Sequence, residues 1–368
     1  MKFVKNYMYL LKGFLVDLPS PSNLNYMFGL GISLGLIYVL QLISGLVLSW
    51  YYSVGFEGSF WSVIGIMQDI HMGWVVRFIH SSGVSVFFLF LYLHVYRGIL
   101  YGSFRKISVW VSGLILLLLI MGVSFLGYVL PWGSMSFWGM TVVTSMFSAL
   151  PLVGESLTFW VWGSSSAGVH TLIRFFSYHY ILGLLVAVVA MFHMLELHIE
   201  GSSNPLGLDS HLDKMAFHSL FSWKDILGLL FVLVIYWFVV LVVPYSLMDA
   251  SNFEEVDYSK TPTHIKPEWY FLFVYCILRS TPNKLGGVIL MVLAIAVLAL
   301  FCLSGTKVYR SVGCLYWKAL SVAWVFIFIV LTWLGGSPVE FPFDILGVMF
   351  TCLYFIVVIL LTLLGAVL

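Results

Sequence analysis

Four histidines in two apolar segments are the residues of this sequence best suited to hold a redox metal centre. His80 and His94 lie fourteen residues apart in one segment, and His179 and His193 lie fourteen apart in another. Fourteen residues of α-helix rise roughly 21 Å and complete almost four turns, so each helix would present two imidazoles on one face at two depths. A single metal ion cannot bridge two ligands that far apart, so the histidines must pair between helices.

The predicted pairs are His80 with His179 and His94 with His193, because an even number of crossings separates the two segments and they run in the same direction. Two imidazoles on facing helices are typical of a haem iron with two histidine ligands and the porphyrin between the helices. The alternative is a set of hydrogen-bonded core histidines, which would not require two pairs of identical spacing. Ionisable residues in membrane helices are costly and usually functional.

Three arginines lie outward of these histidines. Arg77 comes three residues before the first histidine and Arg97 three residues after the second, where haem propionates would point, and arginine suits paired hydrogen bonds to carboxylates. Arg174 lies five residues before His179 and fits this pattern less well. The alternative is that each arginine extends to the membrane interface.

Glycines repeat the same spacing on two other segments. Gly31 and Gly45 are fourteen residues apart, and so are Gly113 and Gly127. A haem wedged between helices needs close backbone approach at two levels, which glycine permits. Ordinary packing of small residues between membrane helices is the alternative, but the shared spacing favours two haem levels.

The composition indicates an integral membrane protein. Of 368 residues, 61% are hydrophobic and 9% are charged, with a mean hydropathy of +1.04. A soluble domain has about 25% charged residues, and about half of a folded surface must face water. The net charge of +1 argues against a nucleic-acid partner.

Eight segments are long and apolar enough to cross a bilayer, for which a helix needs about 20 residues. We predict an all-α protein whose first four spans form a dihaem bundle in residues 1–210, with four more in 211–368. The predicted spans are 27–50, 74–101, 108–130, 171–197, 225–243, 285–303, 319–334 and 345–368. Two long aromatic loops, 131–168 and 244–284, are predicted to contain short interfacial helices.

An even number of spans places both termini on one side of the membrane. Basic residues collect on that side: Lys2, Lys5, Lys12, Arg105, Lys106, Lys214, Lys224, Lys307, Arg310 and Lys318. Acidic residues collect on the other side: Asp249, Glu254, Glu255, Asp257, Glu268, Glu340 and Asp344. The positive-inside rule then predicts termini on the cytoplasm-like or matrix face. The basic N-terminal segment lacks a small-residue cleavage site and is expected to belong to the mature protein.

The cysteines exclude one type of haem attachment. Cys276, Cys302, Cys314 and Cys352 form no C-x-x-C pair and no C-x-x-C-H motif, so covalent c-type haem is excluded and nothing indicates zinc or an iron–sulfur cluster. We interpret them as packing residues.

Several motifs, with the histidine spacing, resemble cytochrome b of ubiquinol–cytochrome c reductase, the respiratory complex III, over nearly the whole chain. They are G-Y-V-L-P-W-G at 127–133, M-S-F-W-G at 135–139, G-S-S-N-P at 201–205, W-K-D-I-L-G at 223–228, H-I-K-P-E-W-Y at 264–270 and P-N-K-L-G-G at 282–287. The short termini resemble mitochondrial members. The plastid-type relative, which is split and has a wider second histidine pair, fits poorly.

The resemblance implies two non-covalent b-type haems in a mitochondrial inner-membrane protein. His80 and His179 would ligate the low-potential haem near the intermembrane space. His94 and His193 would ligate the high-potential haem near the matrix, where both termini would lie.

A quinol-oxidation pocket is expected around Glu268. Pro267 would suit the first turn of a short helix, with the carboxylate near the positive helix end and burial raising its pKa. A carboxylate whose pKa is subject to these two opposing effects could accept a proton from quinol. The alternative is a glutamate that caps the helix. The resemblance assigns Glu268 and Tyr128 to this pocket, with Phe125, Gly139 and Tyr275 lining it. The segment 254–260 departs from the family pattern, so the rim is expected to differ.

A quinone-reduction site is implied at the opposite surface, although charged residues solvated at the interface would explain the same cluster. The resemblance gives His198 and Asp225 contact with the quinone and proton supply, assisted by Lys224, with Ser202 nearby. Ile32 stands where many relatives have serine.

The activity implied is bifurcated oxidation of ubiquinol coupled to proton translocation. One electron would leave to a Rieske-type iron–sulfur subunit, and the other would cross through the haems to quinone. The resemblance also implies a cytochrome c1-type subunit, further complex III subunits and a homodimeric complex in the lipid bilayer.

Two other functions are compatible with buried histidines. A dihaem anchor of a formate or nitrate oxidoreductase would lack the P-E-W-Y loop and usually have fewer spans. A haem-free proton-coupled transporter would use histidines as a relay but needs no paired spacing, and the sequence shows no inverted repeat with broken helices.

Overall fold

The computed structural model describes residues 12–13, 16–55, 58–304 and 313–367. Four basic residues of the predicted charge asymmetry, Lys2, Lys5, Lys307 and Arg310, lie outside this range, as does most of the basic N-terminal segment. The predicted orientation in the membrane therefore remains a prediction.

Within the described residues, eight helices are long and apolar enough to span a bilayer, as predicted. They are Tyr26–Ser49, Gly73–Leu100, Ile107–Val129, Val169–Glu200, Leu220–Leu241, Lys284–Leu303, Leu315–Gly335 and Phe343–Val367. The fifth span begins five residues before its predicted start at 225. Lys224 and Asp225 interrupt the apolar run, but the helix includes both residues, and the Lys224 ammonium donates to the Leu24 carbonyl at 2.5 Å.

The helices are numbered in chain order. They are α1 (Leu30–Ser49), α2 (Gly58–Gln68), α3 (Gly73–Ser81), α4 (Gly83–Leu100), α5 (Ile107–Val129), α6 (Ser134–Ser145), α7 (Gly154–Trp162), α8 (Val169–Glu200), α9 (Leu220–Leu241), α10 (Leu272–Arg279), α11 (Lys284–Ala296), α12 (Leu315–Gly335) and α13 (Phe343–Val367). Turns of 3₁₀-helix cover Tyr26–Gly29, Ser103–Arg105, Met146–Ala149, Ala250–Phe253, Trp269–Phe271 and Val297–Leu303.

The first four spans pack as two facing pairs. Helix α1 packs against α3 and α4, and α5 packs along α8. The Tyr38 hydroxyl on α1 donates to the Gly183 carbonyl on α8 at 2.5 Å, which ties the two pairs together around the predicted histidines.

A shared hydrophobic cluster joins this bundle to the later helices. Phe88 on α4 stacks on Tyr270, with ring centroids 4.1 Å apart and planes 2° from parallel. The Tyr92 hydroxyl also donates to the Tyr270 carbonyl at 2.5 Å. These contacts fix the turn before α10 against the bundle. The division into residues 1–210 and 211–368 remains a prediction.

Both aromatic loops contain short helices, as predicted. Helices α6 and α7 occupy the first loop, and α10 with two 3₁₀ turns occupies the second. The predicted place of Pro267 is wrong: the turn begins at Trp269, with Glu268 as its N-cap residue in extended backbone. Pro267 therefore precedes the helix, and Glu268 stays at its N-terminal end.

A two-stranded antiparallel sheet connects the N-terminal segment to the connection between α8 and α9. Strand β1 (Pro19–Pro21) pairs with β2 (Lys214–Ala216), with Ser20 opposite Met215. This pairing holds residues 19–21 close to the segment that precedes α9.

Candidate functional site

The four histidines meet as two pairs at two levels of the bundle. The ring centroids of His80 and His179 lie 6.0 Å apart, and those of His94 and His193 lie 6.4 Å apart. We call these the outer pair and the inner pair. Metal–nitrogen bonds are about 2 Å long, so either gap accommodates one metal ion between two rings. Among the described residues, no group of three or more histidines, cysteines or acids could hold a metal by itself.

Hydrogen bonds orient the outer pair for metal binding. His80 Nδ1 lies 3.1 Å from the Gln41 carbonyl oxygen, and His179 Nδ1 lies 2.8 Å from that of Val123. A carbonyl can only accept, so each Nδ1 carries the proton and each Nε2 keeps its lone pair for a metal.

The inner pair has different partners. His193 Nδ1 lies 2.9 Å from Ser112 Oγ, whereas His94 Nδ1 lies 3.4 Å from an Arg97 guanidinium nitrogen. The two levels therefore present similar ring spacings with unlike surroundings.

The four glycines each lie against one of these imidazoles. A Cβ atom at Gly127 would come within 2.5 Å of His179 Cε1, and one at Gly45 within 2.8 Å of His80 Cε1. At Gly113 the same atom would lie 3.1 Å from the His193 ring. At Gly31 the distance to the His94 ring is an ordinary 3.5 Å. The glycines therefore make room for the histidine rings, most strictly at Gly127.

A cavity of about 530 Å³ surrounds the outer pair and reaches the loop before α10. Its lining includes Arg77, Tyr128 and Glu268 together with both histidines of the pair. The observations fit a haem at this level: two free Nε2 atoms, a glycine at each ring, and a mostly apolar cavity with one arginine.

The three predicted arginines have different surroundings. Arg77 lines the outer cavity. Arg97 stacks over Phe28, 5.1 Å from the ring centroid, and its buried Nε has no hydrogen-bond partner among the described residues. Such a donor fits a carboxylate-bearing cofactor at the inner pair. Arg174 is instead half-buried and donates to the Trp160 carbonyl, so the structure does not bring it to either pair.

Glu268 is the carboxyl group of the outer cavity. Burial raises its pKa to about 7, and interaction with Tyr128 partly offsets that rise. Asp249 raises the pKa further, while Arg77 and Lys266 lower it. The carboxyl makes no capping hydrogen bond to the described part of the following turn, which argues against a capping role. It is therefore poised to gain or lose a proton near neutral pH.

The Tyr128 hydroxyl is buried beside this carboxyl and makes no hydrogen bond of standard length within the described chain. The other three predicted lining residues do not line the outer cavity. Phe125 packs edge-on against Phe175, with centroids 6.1 Å apart. Tyr275 donates to the Ile265 carbonyl at 3.0 Å, and open space lies beside Gly139. Their part in a quinol pocket remains a prediction.

The unusual segment 254–260 directly follows Asn252 and Phe253, which line this cavity. The Ser134 amide donates to the Glu254 carbonyl at 2.9 Å, and the Trp132 indole donates to the Tyr258 hydroxyl at 2.9 Å. The segment is thus held against the start of α6.

At the opposite end, Lys224 and Asp225 contact the start of the first span. A Cβ at Gly29 would lie 2.9 Å from the Asp225 carboxylate, so glycine permits this approach. Ser202 donates to the Ser203 carbonyl at 2.9 Å. His198 lies in the last turn of α8.

Ile32 and its neighbour differ in exposure. The Ile32 side chain points outward and is 52% exposed, while Ser33 is buried and donates to the Gly29 carbonyl at 3.1 Å. Neither residue offers a polar group to a ligand at this end.

Sequence reasoning missed the residues that orient the imidazoles, Gln41, Ser44, Ser112 and Val123. One signal was present: Ser44 and Ser112 each directly precede a predicted glycine. A residue next to the close contact on a helix is well placed to reach the same ring, but the acceptor depends on helix rotation that the sequence does not specify.

Comparisons with known proteins find similarity to cytochrome b along almost the entire chain. The cytochrome b/b6/petB family matches residues 15–201, and the cytochrome b(C-terminal)/b6/petD family matches residues 255–355. Cytochrome b of Leptorhynchoides thecatus is 55% identical over 354 residues, 96% of this chain and 95% of that protein. Cytochrome b of Apis mellifera ligustica is 44% identical over 347 residues, 93% and 89% of the two chains. A solved structure described as hyperthermophilic respiratory Complex III has a TM-score of 0.90 and 26% identity, covering 99% of this chain and 98% of that one.

Proposed function

This chain belongs to the cytochrome b family, and we propose that it is the haem-bearing subunit of a proton-translocating quinol:cytochrome c oxidoreductase. It oxidises ubiquinol at the end near Glu268 and reduces ubiquinone at the end near Asp225. The observation that carries this proposal is the two histidine pairs, one above the other, in a bundle with a glycine against every imidazole.

His80 and His179 hold one b-type haem, and His94 and His193 hold the other. Arg77 and Arg97 bind propionates at the two levels. When bound, the haems supply one-electron carriers at two depths of the bilayer. The chain contributes the ligand nitrogens, their orientation and an apolar space that excludes water.

Glu268 accepts a proton from the quinol hydroxyl. A base with a pKa of about 7 is well matched to this task, because the ionised form is abundant and the proton is readily passed on. The Tyr128 hydroxyl orients the carboxyl or the substrate, since it is buried and has bonding capacity left.

At the other end, His198 and Asp225 bind the quinone carbonyls and supply protons. Lys224 and Ser202 assist. The Asp225 carboxylate is held where the first span begins, so it is fixed in position beside the bundle.

The second electron of quinol needs a separate acceptor. The four cysteines are far apart in sequence and form no cluster motif, so we assign the acceptor to a Rieske-type iron–sulfur subunit. A cytochrome c1-type subunit, further complex III subunits and a homodimeric arrangement in the mitochondrial inner membrane complete the proposal. Support comes from the match to a chain of a respiratory Complex III.

The test is a reduced-minus-oxidised optical spectrum of the purified complex, with haem quantified per chain. Two b-type haems per chain are expected. One haem would mean that one histidine pair is structural. No haem would contradict the proposal and favour a histidine-based proton-coupled transporter.

A dihaem anchor of another oxidoreductase would also contain two haems, so a second assay separates the two functions. Ubiquinol-dependent reduction of cytochrome c by the complex is expected. Its absence from an intact complex with two haems would favour the anchor.

A further inference from the structure

The second span is divided into α3 and α4 at Ser82, two residues after His80. The Ser85 amide donates to the Ser82 carbonyl, three residues back, at 3.0 Å. The break separates His80 on α3 from His94 on α4, and thus lies between the two levels. Such a break leaves backbone groups that need partners from outside the helix.

The Ile79 carbonyl, at this break, binds two side chains from other spans. The Tyr236 hydroxyl on α9 donates to it at 2.8 Å, and the Gln41 side-chain amide on α1 donates to it at 2.9 Å. A carbonyl oxygen has two lone pairs, so these two donors can satisfy it. The Tyr236 side chain is fully buried, where a polar group left without a partner costs stability.

Gly83 makes room for both donors. A Cβ atom at this position would collide with the Tyr236 hydroxyl and would lie 2.5 Å from the Gln41 amide nitrogen. The Ser82 hydroxyl also donates to the Pro244 carbonyl, just beyond α9, at 3.0 Å. The space at the break is therefore occupied by polar groups, and the break is held against α9 at two points.

The Ile79 carbonyl belongs to the peptide that leads into His80, so its donors fix the backbone that carries this imidazole. Gln41 also holds the ring itself, since its backbone carbonyl oxygen lies 3.1 Å from His80 Nδ1. The ring planes of His80 and His179 are 87° apart. This angle depends on how the His80 backbone and ring are held.

We propose that Tyr236 is a positioning residue for the outer haem: its hydroxyl holds the peptide before His80 and thereby the angle between the His80 and His179 imidazoles. The inference rests on the proposed ligation of that haem by these two histidines. Tyr236 does not line the cavity around the outer pair, whereas Gln41 does. The tyrosine therefore acts through the backbone of α3 and not by contact with the cofactor.

The direction of the effect follows from what the hydroxyl holds. Without it, the Gln41 amide is the remaining side-chain donor to the Ile79 carbonyl, and the peptide gains freedom. The hydrogen bond from His80 Nδ1 then weakens, the imidazole donates less to the iron, and the ferrous form is favoured. The outer midpoint potential should rise. The ferric EPR signal of a haem with two imidazole ligands depends on the angle between their planes, so the outer signal should broaden.

The experiment is a potentiometric titration, with low-temperature EPR spectra, of the purified complex carrying Tyr236→Phe, which keeps the buried ring. At a fixed potential the ratio of reduced to oxidised outer haem should rise about threefold, less than the loss of an entire hydrogen bond would give. At 59 mV per tenfold for a one-electron couple, this is about 30 mV. The inner haem should keep its wild-type potential and signal. Gly83→Ala displaces both donors and should shift the outer haem further in the same direction.

Tyr354→Phe is the matched control. Tyr354 is also buried and its hydroxyl donates to the Ala294 backbone carbonyl at 2.8 Å, but neither residue lines the outer cavity. This variant should leave both haems unchanged.

The proposal is overturned if, with two haems bound, the outer haem of Tyr236→Phe keeps its wild-type potential and EPR signal or its potential falls. It is also overturned if Tyr354→Phe shifts the outer haem as much as Tyr236→Phe does. A wild-type complex without an outer haem would instead refute the ligation on which the proposal rests.

Discussion

The outer and inner ends of the bundle hold histidine pairs of nearly the same spacing, 6.0 and 6.4 Å between ring centroids, in chemically different surroundings. The outer imidazoles donate to backbone carbonyls and share a cavity with Glu268. The inner imidazoles meet a hydroxyl and a guanidinium. The repeated spacing therefore specifies where two similar cofactors bind, while local partners allow the two to differ in potential and in proton chemistry.

Removing one histidine ligand at either level should have the largest effect, because each level should lose its own haem. His179→Leu is expected to eliminate the outer haem, leaving one haem per chain and no reduction of the inner haem by quinol at the Glu268 end. His193→Leu should eliminate the inner haem while the outer haem remains reducible. Haem content and anaerobic quinol reduction check both. His170→Leu, an exposed histidine at the start of the same helix, is the control and should retain two haems.

The carboxyl of the outer cavity should be needed for proton transfer and not for haem binding. Glu268→Gln is expected to slow quinol oxidation about a hundredfold, within the range of general base catalysis, with two haems still bound. Glu255→Gln, at an exposed residue outside the cavity lining, should have little effect. Unchanged turnover in Glu268→Gln would show that Glu268 is not the base that accepts the quinol proton.

The same carboxyl predicts a pH dependence. Because burial raises its pKa to about 7 and the ionised form is the proton acceptor, quinol oxidation should accelerate as pH rises. Between about pH 6 and pH 8 the ionised fraction increases about tenfold for such a group. In Glu268→Gln, the rate of quinol oxidation measured across this pH range should not increase with pH. A rate that falls with pH in the wild type would contradict the assignment.

Glycine substitutions should show which level is packed more tightly. Gly127→Ala places a Cβ within 2.5 Å of the His179 ring, whereas Gly31→Ala leaves 3.5 Å to the His94 ring. Overpacking costs about 1–3 kcal/mol, so the first variant should lose its outer haem more readily on heating. Equal thermal retention of haem in both variants would refute the role of Gly127.

The smallest effect is expected at Arg174. Its guanidinium donates to the Trp160 carbonyl and not towards either histidine pair, so Arg174→Ala should leave both haem potentials unchanged. Arg97→Ala should lower the inner potential, because a positive charge beside His94 is removed. Redox titration of the two variants compares them directly, and a shift in Arg174→Ala would show that this residue reaches a propionate.

The elements that position the site could be predicted from sequence, because apolar length identifies spans and a spacing of fourteen residues identifies a common helix face. The surroundings of Glu268 and Arg174 could not be predicted in the same way. Whether a carboxyl caps a helix or faces a cavity, and whether an arginine turns inward or to a nearby loop, depends on contacts between distant segments. The Ser112 hydrogen bond depends on how α5 is rotated against α8, which a hydropathy pattern leaves open.

The most direct test of the account is a redox titration of the purified complex that resolves the two haems, repeated with His193→Leu. Two one-electron components are expected in the wild type, with loss of the higher-potential component in the variant. A single component in the wild type, or loss of the lower-potential component on removing His193, would contradict it.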